Sequence, residues 1–203
     1  MKANIKKLAV FVIIAAIVMF TLAATVTAGS PGNRSIRGVY AATGSVTCLV
    51  APLGFDEQLI PKSGASMVMT GTMEGVFTFY RDGTGHAERP HCPVVILSST
   101  VGVPFPSAGD STDSWDFEYE VKQDGSIILA QVPGSHSGEF TAGPMAGFKY
   151  KNDNRNWWGK ISPDGKTIAL NGGLPDIITS PPPSVEGLVC NGSAVLIWQH
   201  QHN

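Results

Sequence analysis

Three Asp-Gly pairs recur along the chain, Asp82-Gly83, Asp124-Gly125 and Asp164-Gly165, at intervals of about forty residues. Each pair lies between runs in which apolar and polar side chains alternate. Glycine reaches positive φ without a Cβ clash, and an Asp side chain can hydrogen-bond nearby backbone, so each pair predicts a tight hairpin turn. The chain is therefore predicted to be mostly antiparallel β-sheet.

The clearest strand signal runs from Trp115 to Lys122, where Trp, Phe, Tyr and Val alternate with Asp, Glu and Lys. Side chains on a strand point alternately to its two faces, so one face is expected in the core and the other in water. The same reasoning predicts an all-β fold, a single antiparallel up-and-down barrel of eight to ten strands. The other predicted strands cover about 36–50, 67–80, 86–97, 126–132, 157–161, 166–170 and 187–199, with two short ones within 137–156.

Longer polar or proline-rich connections are expected at about 51–65, 100–113 and 172–186. Such compositions and lengths are typical of loops. In an up-and-down barrel successive connections alternate between the two ends, so the tight turns are predicted at one end and the long loops at the other. This arrangement requires the two short strands within 137–156, joined near 143–147.

The N-terminal segment is typical of an export signal. Lys2, Lys6 and Lys7 precede an apolar run from Leu8 to about Ala24, and small residues end the segment at Ala28. We predict a cleaved signal helix at 1–28 and a secreted domain at 29–203, exported to the periplasm or the extracellular space. The alternative is a retained membrane anchor, because the apolar run is close to the shortest length that spans a bilayer. No membrane span is predicted in the mature chain.

Charge argues against a nucleic-acid partner. Removal of residues 1–28 takes away three Lys and no acid, which moves the formal charge from −2 to about −5. The remaining Lys and Arg are scattered, whereas a phosphate-binding surface needs a basic patch.

Three cysteines, Cys48, Cys92 and Cys190, remain after the predicted cleavage. Cys48 lies in the first predicted strand and Cys190 in the last, and closure of a barrel makes those strands neighbours. We therefore predict a Cys48–Cys190 disulfide, worth ~3 to 5 kcal/mol if unstrained. A Cys92–Cys190 bridge and a fully reduced chain are the alternatives.

Short motifs add a resemblance to known families. Gly38-Val39-Tyr40 resembles the Gly-x-Trp start of calycin barrels such as lipocalins, with Tyr in place of Trp. The wider pattern resembles a family of uncharacterised exported bacterial proteins, through 44–48, 73–79, 82–85, 141–147 and 189–191. In general shape the chain is also similar to the allene oxide cyclase and dirigent barrels, which bind or guide apolar molecules inside the barrel. The resemblance implies a calycin-like barrel and no particular activity.

No catalytic constellation is found in the sequence. There is no Gly-x-Ser-x-Gly elbow, and Cys92 and its neighbour His91 are expected on opposite faces of a strand. The acidic residues Asp116, Glu118 and Glu120 are expected on an exposed face. Carboxylates in water are not differentiated into a general acid and a general base. We assign no catalytic residue.

Two histidine groups were considered as metal sites. His86 and Glu88 share a strand face near His91, but no fourth ligand is identifiable and Pro90 disturbs the spacing. His200-Gln201-His202 has a similar geometry in a C-terminal tail that is expected to be solvated. We predict no metal and no cofactor.

Aromatic residues offer a possible pocket lining, and an ordinary core is the alternative. An interior site for a small apolar molecule needs a cavity of roughly 300 Å³ or more; without one, the surface-partner role remains. The six residues assigned to the possible lining are Phe77, Phe79, Trp115, Phe117, Tyr119 and Trp157.

These features favour a non-catalytic, exported soluble barrel that binds a small apolar ligand or a surface partner. One alternative is a confinement-type cyclase or isomerase of the allene oxide cyclase kind, which requires an inward-facing Glu, His or Tyr with a displaced pKa. Another is a structural component of the envelope or extracellular matrix. The sequence does not decide between these functions, and it identifies neither the ligand nor the oligomeric state.

Overall fold

The computed structural model describes residues 36–51, 53–62, 64–151, 155–172, 176–178 and 187–200. The predicted signal peptide and His202 lie outside this part of the chain. The described residues form twelve strands, and none of them is helical. The strands are β1 (Gly38–Val50), β2 (Met67–Phe79), β3 (Thr84–His91), β4 (Val94–Ser99), β5 (Ser107–Val121), β6 (Ser126–Gln131), β7 (Ser137–Ala142), β8 (Lys149–Tyr150), β9 (Asn156–Ile161), β10 (Thr167–Gly172), β11 (Asp176–Ile178) and β12 (Leu188–Trp198).

All strand pairings are antiparallel, as the hairpin turns predicted. Eight strands pair in chain order, from β1 through β2, β3, β5, β6, β9 and β10 to β12, and β12 pairs with β1. The four other strands extend this set: β4 pairs with β2 and β5, β7 with β5, β8 with β7, and β11 with β12. The hydrogen-bonded pairings therefore form a closed circuit, which we call the strand circuit.

We call each of the eight positions in the circuit a ribbon. The predicted number of eight to ten strands was too low, because four of the ribbons are interrupted and each of these counts as two strands. Between β3 and β4 the chain passes through Cys92 and Pro93, and proline has no N–H to give to a ladder. The backbone of Cys92 nevertheless exchanges hydrogen bonds of 2.9 and 3.2 Å with that of Ser111 on β5, which keeps the ribbon aligned. Pro133 and Gly134 separate β6 from β7 in a similar way.

The three Asp-Gly pairs form the predicted turns. Gly83, Gly125 and Gly165 have φ of 90°, 75° and 70°. The side chain of each preceding Asp accepts a hydrogen bond from the backbone N–H two residues on, at 3.0, 2.9 and 3.1 Å. The N–H of Tyr119 donates to the carbonyl of Gly83, and that of Ile161 to the carbonyl of Gly125, so neighbouring ribbons end at the same level. We call this the turn end.

The longer connections lie at the opposite end, which we call the loop end. They include 51–66, 100–106 and 143–148, and the last joins the two short strands β7 and β8 that the sequence required. The N–H of Thr100 donates to the carbonyl of Ser66 at 2.8 Å, so the first two loops are in contact. The predicted separation of turns and loops is confirmed for these connections. The loop predicted at 100–113 is shorter, because β5 begins at Ser107.

The interior is filled by every second side chain along the strands. On β5, Trp115, Phe117 and Tyr119 are buried, while the acidic residues between them are exposed, as the alternation predicted. Towards the turn end these aromatic rings pack edge-on against Phe77 and Phe79, with ring centroids 5.1 to 5.7 Å apart. This half of the interior is an aromatic core.

The disulfide is the predicted one. Cys48 and Cys190 are directly opposite in the β1–β12 register and form a bond with an S–S distance of 2.08 Å. Both are buried in a second apolar cluster towards the loop end, and Cys92 is a buried free thiol. The bridge therefore joins the first and last strands of the circuit.

We expect removal of this bridge to destabilise the protein strongly. The loop it closes spans 142 residues, so the double substitution Cys48→Ala with Cys190→Ala should lower the free energy of unfolding by ~3 to 5 kcal/mol. Urea denaturation measures the change, with Cys92→Ala as the control that keeps the bridge. A double variant within about 1 kcal/mol of the wild type would contradict a bridge that constrains the unfolded chain.

Candidate functional site

A cavity of about 60 Å³ lies in the half of the interior nearer the loop end. Its wall is mostly apolar, and the Cys48–Cys190 disulfide is part of it. The remaining apolar lining comes chiefly from Val46, Met69, Val94, Phe140, Phe148 and Leu188. The polar lining consists of Thr70, Arg89, Cys92, Ser111, Asp113, Tyr150 and Arg155.

A buried ion pair forms one side of the cavity. Arg89 on β3 and Asp113 on β5 face each other across the ladder, and their side chains are 8% and 1% exposed. Arg89 Nε donates to Asp113 Oδ1 at 2.5 Å, and Arg89 Nη2 donates to Asp113 Oδ2, so the contact is bidentate. Arg89 Nη1 also contacts Met73 Sδ at 2.9 Å. The guanidinium is therefore held in one orientation.

Two further groups surround the same carboxylate. His136 Nε2 lies 3.4 Å from Asp113 Oδ2, and Arg155 Nη1 lies 3.9 Å from the same oxygen. The Arg155 guanidinium also lies over the ring of Trp115, 5.8 Å from its centroid. The ring of His136 is fully buried and contacts that of Tyr150. Asp113 thus organises a cluster of cationic and aromatic side chains.

The environment of this cluster shifts its protonation equilibria. Burial opposes ionisation of Asp113, but Arg89, the hydrogen bond with His136 and the charge of Arg155 together hold its pKa well below the usual range. Burial lowers the pKa of His136, and its hydrogen bond with Asp113 only partly opposes that effect. At neutral pH we therefore expect an ionised Asp113 and a neutral His136.

The other titratable side chains of the cavity keep their protons. Burial raises the pKa of Cys92 to about 11, although the positive charge of Arg89 opposes the shift. Burial also raises the pKa of Tyr150 strongly, and the negative charge of Asp113 adds to it. The cavity therefore presents a protonated thiol and phenol beside fixed charges, and it lacks an activated thiolate near neutral pH.

The cavity is smaller than a conventional ligand pocket. Its volume of about 60 Å³ is well below the roughly 300 Å³ of sites that enclose a drug-sized molecule. It has space for a few water-sized groups. An extended apolar ligand does not fit inside without movement of the lining side chains.

The aromatic residues assigned to a possible pocket lining lie in the turn-end half. Phe77, Phe79, Trp115, Phe117, Tyr119 and Trp157 are all buried in the aromatic core. None of the six lines the 60 Å³ cavity. Their packing against one another fits the alternative given above, that these rings fill the interior.

The histidines considered as metal ligands have other partners. His86 Nδ1 contacts Asp116 Oδ1 at 2.6 Å, and His91 Nδ1 lies 3.2 Å from Asp110 Oδ2. Within the described ranges no three His, Cys, Asp or Glu side chains are grouped closely enough to hold a metal ion. Of the C-terminal motif only His200 is described, and its ring contacts that of Trp198.

The polar cluster is not predicted from the sequence, although one signal for it is present. Asp113 has the same parity as Trp115 and Phe117 on β5, which places its carboxylate among inward-facing side chains. Its partner Arg89 is recognisable only from the β3–β5 register. His136, Tyr150 and Arg155 lie at or next to ribbon interruptions, where alternation gives no guide.

Comparisons with known proteins leave the family unassigned. No protein-family model matches the sequence, and no curated protein is significantly similar to it. Among solved structures, the S-type phycobiliprotein lyase CPES from Guillardia theta is similar over 83% of this chain and 90% of its own, with 9% identity and a TM-score of 0.27. A likeness of this size specifies neither the fold nor a ligand.

We predict that the free energy of unfolding depends on pH through His136, at pH values higher than those at which carboxylates titrate. Its pKa is lowered in the folded state, so the unfolded chain binds the proton more readily and stability is lost as pH falls below about 6.5. The slope reaches at most about 1.4 kcal/mol per pH unit for one proton. Urea denaturation between pH 7 and 5 should show this slope in the wild type and a flatter one in His136→Gln.

Leu97→Gln, an exposed substitution that removes no titratable group, is the control and should keep the wild-type slope. Equal slopes in His136→Gln and the wild type would show that His136 is not held neutral.

Proposed function

We propose that this protein is an exported, closed β-barrel that binds a small ligand at the loop-end cavity without transforming it. The closed strand circuit supports the barrel. One observation carries the binding role: an apolar cavity in which a buried cluster of fixed charges is concentrated on one side. Such a combination of apolar wall and few oriented polar groups is typical of ligand sites.

The polar cluster is costly for a protein that uses it only as core. A buried ion pair is often no more stabilising than well-packed apolar residues of similar volume. In addition, His136 Nδ1 is buried without a hydrogen-bond partner among the described residues. A water or a polar ligand atom is the usual complement of such a group. The cluster is therefore better explained as part of a recognition site.

The size of the cavity defines the ligand class. It takes a short oxygen-bearing molecule, or the polar end of a longer one whose apolar remainder extends towards the loop end. This ligand is smaller or more amphiphilic than the apolar molecule that the aromatic content suggested. The export part of the proposal is supported by the disulfide, since such bonds persist in oxidising compartments.

We expect short-chain fatty acids and alcohols to bind at the cavity. Titration with butyrate, octanoate and 1-octanol, followed by NMR of methyl groups, should shift the signals of Val46, Val94 and Leu188. Val46→Phe fills the cavity and should weaken binding about tenfold or more. Native mass spectrometry of protein purified from its source identifies any molecule that is retained.

Val76→Phe is the control, because Val76 is half exposed on the outer face of β2. Equal binding by Val46→Phe and Val76→Phe would exclude the cavity as the site. Absence of binding by all three probes, together with no retained molecule, would reject the ligand role.

A second candidate function, a confinement-type isomerase or cyclase, is favoured by Tyr150. Its hydroxyl is buried at the cavity wall and its pKa is strongly raised, chiefly by burial. A phenol that keeps its proton beside Arg89 and Asp113 can donate a hydrogen bond to a substrate oxygen and stabilise negative charge that develops there. This is the inward-facing, pKa-shifted residue that the cyclase alternative required.

Deuterium exchange separates the two functions. If the protein isomerises its ligand by proton transfer, the retained molecule incubated with protein in D₂O should gain mass at a carbon position. Tyr150→Phe should abolish that gain while the molecule still binds, and the exposed Tyr80→Phe should not. No gain with the wild type supports binding without chemistry. The roles of surface partner and structural component stay predictions.

A further inference from the structure

A groove lies at the turn end of the strand circuit, where β1 begins and where β2 and β12 end. Its volume is about 440 Å³, and we call it the turn-end groove. Gly38 is directly opposite Phe79 in the β1–β2 register, and a Cβ at residue 38 would lie 3.3 Å from Trp198 Nε1. Because Gly38 has no side chain, the space between these two rings stays open.

The charged side chains that line the turn-end groove are cationic. Arg37 and Arg81 lie in its wall with the imidazole of His200, and no Asp or Glu of the described ranges lines it. Among the residues that the structure describes, no carboxylate forms an ion pair with either guanidinium. The nearby carboxylate of Asp82 accepts hydrogen bonds from Thr84 N and Oγ1 at 3.0 and 2.7 Å, so it is held in the hairpin turn. The groove is therefore positive in a chain whose formal net charge is −2.

Aromatic rings accompany the two guanidinium groups. Tyr80 is 49% exposed, and the partly buried ring of Trp198 lies 5.0 Å from that of His200. Phe79 is buried and forms the inner side of the groove. Offset stacking and cation–π contacts both require the face of a ring, so this wall suits a planar ligand.

We propose that the turn-end groove binds a small aromatic anion of the aryl carboxylate class. A planar guanidinium donates two parallel hydrogen bonds to a carboxylate and also stacks on an aromatic face, so Arg37 and Arg81 can meet both parts of such a ligand. The volume of about 440 Å³ is in the range of small-molecule sites, roughly 300 to 1,000 Å³.

The surroundings of the groove favour a small anion over an anionic polymer. Exposed carboxylates of Asp82 and Asp164 lie in turns at the same end, beside the exposed Lys122 and Lys166. Charges of both signs therefore surround the groove, whereas a polyanion requires a continuous basic surface. The inference does not depend on the ligand at the cavity, because the two sites lie towards opposite ends of the strand circuit.

NMR titration with 2-naphthoate tests the proposal. We expect the wild type to bind this anion and to bind the uncharged 2-naphthamide about tenfold more weakly, because the charged hydrogen bonds are lost. The indole N–H signal of Trp198, assigned with Trp198→Phe, should shift during the titration. Added salt should weaken naphthoate binding, since both arginines are exposed.

The double substitution Arg37→Gln with Arg81→Gln should weaken naphthoate binding about tenfold or more and leave naphthamide binding unchanged. Lys122→Gln with Lys166→Gln is the matched control, because it removes the same charge at the turn end from residues that do not line the groove. Val46→Phe, which fills the cavity, should also leave naphthoate binding intact.

Several outcomes would overturn the proposal. The first two are failure of the wild type to bind naphthoate and equal binding of naphthoate and naphthamide. Equal naphthoate binding by the wild type and the double arginine variant would exclude the groove, and loss of binding in Val46→Phe would assign the anion to the cavity. Heparin that binds more tightly than naphthoate and is released by the double arginine substitution would show that the groove belongs to a polyanion surface.

Discussion

Pairing of the first strand with the last is the interaction on which the rest of the structure depends. Eleven residue pairs join β1 and β12, and the disulfide between Cys48 and Cys190 covalently links the same two strands. Because this pairing completes the circuit, every strand of the circuit has hydrogen-bonded neighbours on both sides. This pairing also divides the side chains into an interior and an exterior set. Alternate residues of each strand therefore lie in two different environments.

The interior is used in two different ways along its length. Towards the turn end, aromatic rings pack edge-on, and the hydroxyl of Tyr40 donates to the carbonyl of Gly165 at 2.7 Å. Towards the loop end, the same parity of β5 brings in Asp113, and its charge gathers Arg89, His136 and Arg155. A buried carboxylate needs such partners, because desolvation without them costs several kcal/mol. The polar wall of the cavity follows from that requirement.

Particular residues show where sequence reasoning succeeds and where it stops. The Asp-Gly turns and the alternation from Trp115 to Val121 depend on local backbone and side-chain chemistry, so they were predicted with their correct geometry. The polar cluster was missed because Arg89 and Asp113 are 24 residues apart and meet only through the β3–β5 register. The aromatic residues assigned to a possible pocket are buried in one cluster, and their role as a pocket lining stays a prediction.

The sequence by itself determined the antiparallel class and the positions of the tight turns, because these follow from turn chemistry and period-two alternation. It favoured the disulfide between Cys48 and Cys190, and the structure decided for that pair. Only the tertiary structure decided that β3 and β5 bring a guanidinium and a carboxylate together and that the cavity lies towards the loop end. Those properties arise from cross-strand neighbours. Register sets those neighbours, and register is a relation between distant segments that neither segment encodes alone.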